Sequence, residues 1–131
     1  LRNFKGKRIL LAEDNELNAE IAMELLGESG LETEHVTDGI KCVETLKAKP
    51  EDYYDLILMD IQMPHMDGYE ATKIIRALND PRSRIPIIAM TANAFEEDRQ
   101  RAFEAGMDAH IAKPIDVKIL FSTLAQVLGE E

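Results

Sequence analysis

Short apolar runs alternate with amphipathic stretches five times along the chain, which is typical of a domain that alternates strands with helices. The apolar runs predict five strands, at Arg8–Ala12, Glu32–Val36, Leu56–Met59, Pro86–Met90 and Ala109–Ala112. The first, third and fourth runs are apolar almost throughout. This composition predicts parallel strands that are covered on both faces of a sheet.

The amphipathic stretches predict five helices, at Glu16–Ser29, Gly39–Lys49, Tyr69–Leu78, Glu96–Ala105 and Val117–Leu128. Apolar residues in the third and fifth helices recur three or four positions apart, which gives each helix one buried face. Helix N-caps are expected at Asn15, Asp38 and Asp116, and glycines after C-termini at Gly30 and Gly106. The fourth helix has little apolar face beyond Ala102 and Phe103, so we expect it to be loosely anchored and able to shift.

Strands that alternate with helices predict a parallel sheet joined by right-handed crossovers. The expected fold is a single α/β domain over residues 1–131, a doubly wound five-stranded parallel sheet with the flavodoxin-like order 2-1-3-4-5. It would form a (βα)5 three-layer sandwich with its core at about 7–128. In such sheets ligands bind outside the carboxyl ends of the strands, where strands 1 and 3 lie side by side.

Composition narrows the class of partner. Twenty-five acidic and fifteen basic residues leave a net charge of −10, which disfavours direct binding to nucleic acid or to an anionic membrane. The single cysteine, Cys42, precludes an internal disulfide, suits a reducing compartment and is expected to face the core. No apolar run reaches the length of a membrane span. We therefore expect a cytoplasmic protein, and because it begins at Leu1, one that can have been cut from a longer chain.

Polar side chains follow four of the five predicted strands. They are Glu13 and Asp14 after the first, Asp60 after the third, Thr91 after the fourth and Lys113 after the fifth. Taken alone, an aspartate beside a turn is most often a solvated loop residue without a functional role. Because the carboxyl ends of parallel strands share one edge of the sheet, the whole set is expected to converge there.

These residue types indicate phosphoryl chemistry. Clustered carboxylates stay ionised only beside a cation, and hard oxygen ligands suit Mg²⁺, which completes its coordination with water and phosphate. A carboxylate can attack phosphorus to give an aspartyl phosphate. An ammonium from Lys113 and a hydroxyl from Thr91 would then neutralise and position the group being transferred. His35 and His65 have no cysteine or histidine at ligand spacing, so we expect neither to bind a metal.

The motifs LLAEDN, LILMDIQMPHMDG, IIAMTAN and AKP together resemble those of response-regulator receiver domains, the phosphoacceptor modules of two-component signalling. The opening FKGKRILLAEDNELN and the segment MTANAF look most like receivers attached to hybrid sensor histidine kinases. The resemblance implies roles for seven positions: phosphorylation at Asp60, Mg²⁺ (or Mn²⁺) held by Glu13, Asp14, Asp60 and the Gln62 carbonyl, a switch hydroxyl at Thr91, and a phosphate-binding Lys113 before a cis bond to Pro114.

The same resemblance implies the partners and the setting. Phosphate would come from a histidine kinase or a histidine phosphotransfer domain, and the surface near helix 4 and strand 5 would change on phosphorylation. The chain would be a monomer or a weak phosphorylation-dependent dimer. It would act in the cytoplasm, as a free protein or as the cytoplasmic part of a membrane-bound sensor kinase.

His110 departs from the family pattern. Three residues before the lysine the family generally has tyrosine or phenylalanine as the aromatic partner of the switch hydroxyl, and this chain has His110. Two interpretations stay open here. The residue is either a partly exposed strand histidine, or a working switch residue that is weaker or pH-sensitive.

Other functions fit the sequence less well. A Mg²⁺-dependent phosphohydrolase with an aspartate nucleophile typically needs a second acid two residues later, where this chain has Gln62. A binding module that does not depend on phosphorylation would be favoured by loss of an acid or of the lysine, and neither is lost. The sequence also lacks the GxxxxGK and GxGxxG patterns of P-loop and dinucleotide-binding enzymes.

Overall fold

The computed structural model describes residues 4–92 and 95–129. Strands and helices alternate in the order β1 (Arg8–Ala12), α1 (Glu16–Gly27), β2 (Glu32–Val36), α2 (Gly39–Lys47), β3 (Leu56–Asp60), α3 (Gly68–Arg76), β4 (Ile87–Thr91), α4 (Glu96–Ala105), β5 (Ala109–Ala112) and α5 (Val117–Leu128). A 3-10 turn at Pro81–Arg84, which the sequence analysis did not predict, lies between α3 and β4. Within the described ranges, no helix has both the length and the apolar character needed to cross a membrane.

The five strands form one parallel sheet in the order β2-β1-β3-β4-β5, which confirms the predicted topology. Leu11 of β1 lies opposite Leu58 of β3, and Asp60 of β3 lies opposite Met90 of β4. Because every strand runs in the same direction, all five carboxyl ends lie at one edge of the sheet. The predicted switch point therefore lies at the carboxyl ends of the neighbouring strands β1 and β3.

The core consists of two apolar layers, one on each face of the sheet. Alternate residues of the central strands enter opposite layers, as the side-chain period of a strand requires: Leu10 and Ile57 contribute to one, and Leu11 and Leu58 to the other. All four side chains are fully buried. Each such burial is worth about 1.5–3 kcal/mol, so the apolar runs of β1 and β3 hold their carboxyl ends rigidly in place. Cys42 is buried in the first layer, as predicted.

The predicted helix caps are present. The side-chain oxygen of each predicted N-cap residue accepts a hydrogen bond from the backbone amide three residues further on. The Asp116 carboxylate accepts from the Ile119 amide at 3.1 Å, and Asn15 and Asp38 cap their helices in the same way. Asp67 caps α3 in the same way and was not predicted. Gly106 ends α4 with φ +108°, a left-handed conformation that favours glycine.

Three helices end earlier than predicted. The first stops at Gly27 instead of Ser29, because the Ser29 hydroxyl donates to the Leu26 carbonyl and helps turn the chain toward β2. The second stops at Lys47 instead of Lys49, where the Arg82 guanidinium donates to the carbonyls of Leu46 and Lys49. The third ends at Arg76 instead of Leu78. The turn after the first helix and the contact of the second helix with the distant Arg82 side chain are not visible in the helical periodicity.

The apolar face of α4 differs from the predicted one. Phe103 is 74% exposed, and the residues of this helix that pack against the core are Ala102 and Ala105. Polar contacts with α3 add to this small apolar contact: the Arg101 guanidinium lies over the Tyr69 ring at 4.3 Å, and the Tyr69 hydroxyl donates to the Asp98 carbonyl at 3.4 Å. The placement of Phe103 in the sequence analysis is therefore wrong, while the small size of the apolar face is confirmed.

Candidate functional site

Asp60 is the last residue of β3 and is only 5% exposed. The sequence predicts that this strand ends at Met59, but the observed strand is one residue longer, so the aspartate belongs to the sheet and not to the loop that follows. Gly68 lies directly behind it, where a Cβ atom would collide with the Asp60 carbonyl oxygen. The Gly68 amide also donates to the Ile61 carbonyl at 2.8 Å. Only glycine allows the start of α3 to approach the strand end so closely.

Glu13 and Asp14 follow β1, the neighbour of β3. Glu13 is 2% exposed, whereas Asp14 is open to solvent. One carboxylate oxygen from each of Glu13, Asp14 and Asp60 can be chosen so that all three lie within 4.8 Å of one another. Such a set fits Mg²⁺, which takes oxygen ligands and keeps several waters on its open side. The exposed Asp14 provides that open side.

Lys113 supplies the positive charge of this site. Its ammonium lies 2.6 Å from Glu13 Oε1 and 3.0 Å from Asp60 Oδ2, so it bridges the ends of β1 and β3. The Lys113 amide donates to the Thr91 carbonyl at 2.9 Å, which continues the pairing of β5 with β4. The Lys113–Pro114 peptide bond is cis. We name Glu13, Asp14, Asp60 and Lys113 the acid pocket.

The pKa values of the two buried carboxyls in the acid pocket, Glu13 and Asp60, are shifted in opposite directions. Burial raises the pKa of both, but for Glu13 the hydrogen bonds with Lys113, with Asp60 and with the Asn15 amide outweigh it, so its pKa falls below the ordinary value. For Asp60, burial and the neighbouring Glu13 outweigh the attraction of Lys113 and raise the pKa to about 7. The pKa of Lys113 is raised, because its two carboxylate partners overcome the effect of burial. One ammonium therefore does not neutralise the carboxylates around it, which favours binding of a further cation.

Four hydrogen bonds hold the backbone and side chain of Glu13 in place. Its amide donates to the Val36 carbonyl at 3.0 Å, Oε2 accepts from the Asn15 amide at 3.1 Å, and Oε1 accepts from Lys113. The fourth contact comes from the His35 ring, whose Nε2 lies 2.6 Å from the Glu13 carbonyl oxygen. This contact is not predicted from the sequence, in which His35 is weighed only as a metal ligand. Its position near the end of β2, the strand beside β1, was the available signal.

The remaining predicted positions lie around the acid pocket. Thr91 is the last residue of β4 and is buried, one residue beyond the Met90 that pairs with Asp60 of β3. Gln62 is exposed and lies two residues beyond Asp60. His110 of β5 pairs with Ala89 of β4, is half-buried, and lines a cavity of about 190 Å³ against α4. Residues 93 and 94, part of the MTANAF match, lie outside the described residues.

Comparisons with known proteins agree with this geometry. The family model for the response regulator receiver domain matches residues 9–125. The polar-differentiation response regulator DivK of Brucella ovis is 38% identical over 124 residues, which cover 95% of this chain and 98% of DivK. Hybrid signal transduction histidine kinase G of Dictyostelium discoideum is 44% identical over 86% of this chain but 3% of the kinase. The chain spans 13% or less of the length of three histidine kinases that it matches.

A solved structure resembles the whole described domain. The receiver domain of a sensor histidine kinase from Pseudomonas aeruginosa PAO1, crystallised with a magnesium ion in its active site cleft, is 41% identical with a TM-score of 0.85. The match covers 95% of this chain and 99% of that domain. Fold, sheet order and a cluster of acids at the switch point agree with the sequence match. The chain therefore belongs to the response regulator receiver domain family, the signalling phosphoacceptor domains of two-component systems.

Proposed function

We propose that this chain accepts a phosphoryl group on Asp60 from the phosphohistidine of a histidine kinase or a histidine phosphotransfer domain. The observation that carries the proposal is the acid pocket, in which the Lys113 ammonium lies 3.0 Å from Asp60 Oδ2 beside two further carboxylates. A buried carboxylate beside an ammonium and a cation-binding set of acids has what phosphoryl transfer needs, namely positioning and charge neutralisation.

The transfer step uses the carboxylate of Asp60 as nucleophile. A carboxylate oxygen attacks phosphorus, the new O–P bond forms as the N–P bond to the donor imidazole breaks, and the electron pair stays on that nitrogen, which takes a proton from solvent. Because β3 and Gly68 hold Asp60 in place, its position does not have to be established during the reaction. Lys113 then follows the negative charge from the carboxylate to the phosphoryl oxygens.

Glu13, Asp14, Asp60 and the Gln62 carbonyl would hold the metal ion. When bound, Mg²⁺ neutralises the charge of the phosphoryl oxygens during transfer. Mn²⁺ would serve as well, because carboxylate, carbonyl and water ligands also suit that ion. The exposed Asp14 leaves one side of the pocket open to the donor and to water.

Thr91 would report the presence of the phosphoryl group. Thr91 is the last residue of β4, one residue beyond the Met90 that pairs with Asp60, and its hydroxyl would donate to a phosphoryl oxygen when it turns toward it. β5 is the sheet neighbour of β4, and its His110 lines a cavity against α4, so the movement of Thr91 would be transmitted to that region. Among the described residues, α4 packs against the core through Ala102 and Ala105 and makes a few polar contacts, so it can shift at small cost. The α4–β5 surface is the proposed output.

The predictions about domain extent, oligomeric state, cellular location and excluded partners remain predictions. These are the extent of a single receiver domain over residues 1–131, the monomeric or weakly dimeric state and the cytoplasmic location. Others are that neither nucleic acid nor a membrane is contacted directly, and that the chain turns over no separate substrate.

Phosphorylation by acetyl phosphate, followed by intact mass spectrometry, tests the proposal. The wild-type chain should gain one hydroxylamine-sensitive phosphoryl group with Mg²⁺ and none with EDTA. Asp60→Asn should gain none. Asp52→Asn, the same chemical change at an exposed loop position, should behave like the wild type. An Asp60→Asn protein that still gains an acid-labile phosphate would refute the assignment.

A further inference from the structure

The His35 side chain donates a hydrogen bond to the backbone of the acid pocket. His35 lies on β2 and is half-buried, and its Nε2 is 2.6 Å from the carbonyl oxygen of Glu13. A carbonyl oxygen can only accept, so the hydrogen of this bond is on Nε2. The ring therefore reaches from the edge strand to the residue that begins the acid pocket.

This bond occupies the place where the sheet ladder stops. β1 and β2 pair up to Ala12 and Val36, and the Glu13 amide still donates to the Val36 carbonyl at 3.0 Å. Continued parallel pairing would next bring the amide of Asp38 to the Glu13 carbonyl. The chain has left the sheet at that point, because Asp38 caps α2 through the Lys41 amide at 2.8 Å. The His35 ring supplies the donor that the strand no longer offers.

The Glu13 carbonyl matters because its peptide group also carries Asp14. Glu13 is buried and its side chain is already held by Lys113 and the Asn15 amide. Asp14 is exposed, so packing restrains its side chain little. The direction in which its carboxylate leaves the backbone then depends on the orientation of the peptide between residues 13 and 14. The bond from His35 fixes that orientation.

We propose that His35 is a positioning residue of the acid pocket, which holds the Glu13–Asp14 peptide through its Nε2–H and so orients the Asp14 carboxylate toward the bound cation. The inference rests on the proposed metal site and adds a residue to it. His35 does not touch the cation itself. Outer hydrogen bonds that orient ligands typically contribute tenfold or more to metal affinity.

Two substitutions separate hydrogen bonding from packing. His35→Leu fills the space without a donor, whereas His35→Gln places an amide N–H near the position of Nε2. Tyr54→Phe is the matched control, because it removes a 2.7 Å hydrogen bond to Glu34 of the same strand without touching Glu13. Mg²⁺ affinity is measured by isothermal titration calorimetry at pH 7.5, and stability by thermal unfolding in EDTA.

We expect His35→Leu to bind Mg²⁺ about tenfold more weakly than the wild type, in line with the loss of an outer hydrogen bond. His35→Gln should stay within about threefold of the wild type. Tyr54→Phe should unfold at a lower temperature with unchanged Mg²⁺ affinity. Wild-type affinity in His35→Leu would overturn the proposal, and so would equal losses in His35→Leu and His35→Gln.

A measurement on the wild-type protein keeps the proposal testable if a variant does not fold. Long-range ¹H–¹⁵N NMR of the imidazole rings should show a protonated Nε2 on His35 at pH 7.5. An unprotonated Nε2 would overturn the proposal without any substitution. Failure of the wild type to bind Mg²⁺ would instead refute the metal site. Wild-type binding that His35→Leu leaves unchanged would refute only the role of His35.

Discussion

Replacing Asp60 with asparagine should stabilise the metal-free protein at pH 8. The substitution keeps the size and shape of a side chain that is 5% exposed, and it removes a charge that the folded state disfavours. Burial, and after it the neighbouring Glu13, raises the pKa of Asp60 from 3.8 to about 7. A carboxyl whose pKa is higher in the folded state binds its proton more tightly there than in the unfolded chain.

The sign of the pH dependence follows from this difference. Because the folded state keeps the proton longer, the wild type loses stability as pH rises from about 4 to 7, and the loss is complete above 7. Each pH unit over that window is worth about 1.4 kcal/mol, so the upper limit is about 4 kcal/mol. Screening by water and by movement of the pocket reduces this, and we expect a gain of about 2 kcal/mol for Asp60→Asn at pH 8.

Thermal unfolding followed by circular dichroism in EDTA measures the effect. A gain of about 2 kcal/mol corresponds to roughly 8 °C in the melting temperature of a domain of this size. The gain should nearly vanish at pH 4, where Asp60 is protonated in the wild type. Mg²⁺ at tenfold above its Kd should add about 1.4 kcal/mol to the wild type and less to the variant, which narrows the gap.

Asp52→Asn, an exposed control, should change stability by less than about 0.5 kcal/mol at either pH. Equal stability of wild type and Asp60→Asn in EDTA at pH 8 would refute the reasoning. A gain that stays the same at pH 4 would refute it too, because the effect would then not come from the ionised carboxylate.

Three further substitutions and one comparison test other parts of the structure. Asp14→Ala should abolish most of the Mg²⁺-induced rise in melting temperature, and a rise equal to that of the wild type would argue against the metal site. Lys113→Met should lower the free energy of unfolding in EDTA at pH 8 by about 3 kcal/mol, because it leaves two buried carboxylates without their cation; denaturant titration should show a smaller loss at pH 5. Thr72→Val should raise stability by about 1 kcal/mol, since the Thr72 hydroxyl is buried and hydrogen-bonds to no described residue; a loss on urea unfolding would mean that a water satisfies it. NMR shifts of α4 on adding beryllofluoride should differ between wild type, His110→Tyr and His110→Ala if His110 is the switch residue; identical responses would make it a surface strand residue.

The sequence alone determined the architecture of this protein, because two local signals agree along the whole chain. Short apolar runs such as Leu56–Met59, separated by amphipathic stretches, indicate strands covered on both faces, and three helices begin at capping side chains that the sequence identifies, as at Asp116. Once the strands are parallel, their carboxyl ends must share one edge. The convergence of Glu13, Asp60 and Lys113 follows from that topology, and the structure places the lysine between the two acids.

Tertiary structure alone decided the features that depend on residues far apart in the chain. The Arg82 guanidinium donates to the Leu46 carbonyl at the end of α2, and Phe103 points outward although its helix has few other apolar residues. The same holds for the hydrogen bond from His35 to Glu13, which exists because β2 ends at Val36, two residues before the Asp38 amide that would otherwise satisfy that carbonyl. Periodicity reports how each segment buries its own apolar face. It carries no information on which distant polar group meets a given backbone atom, since that depends on how the packed elements end beside one another.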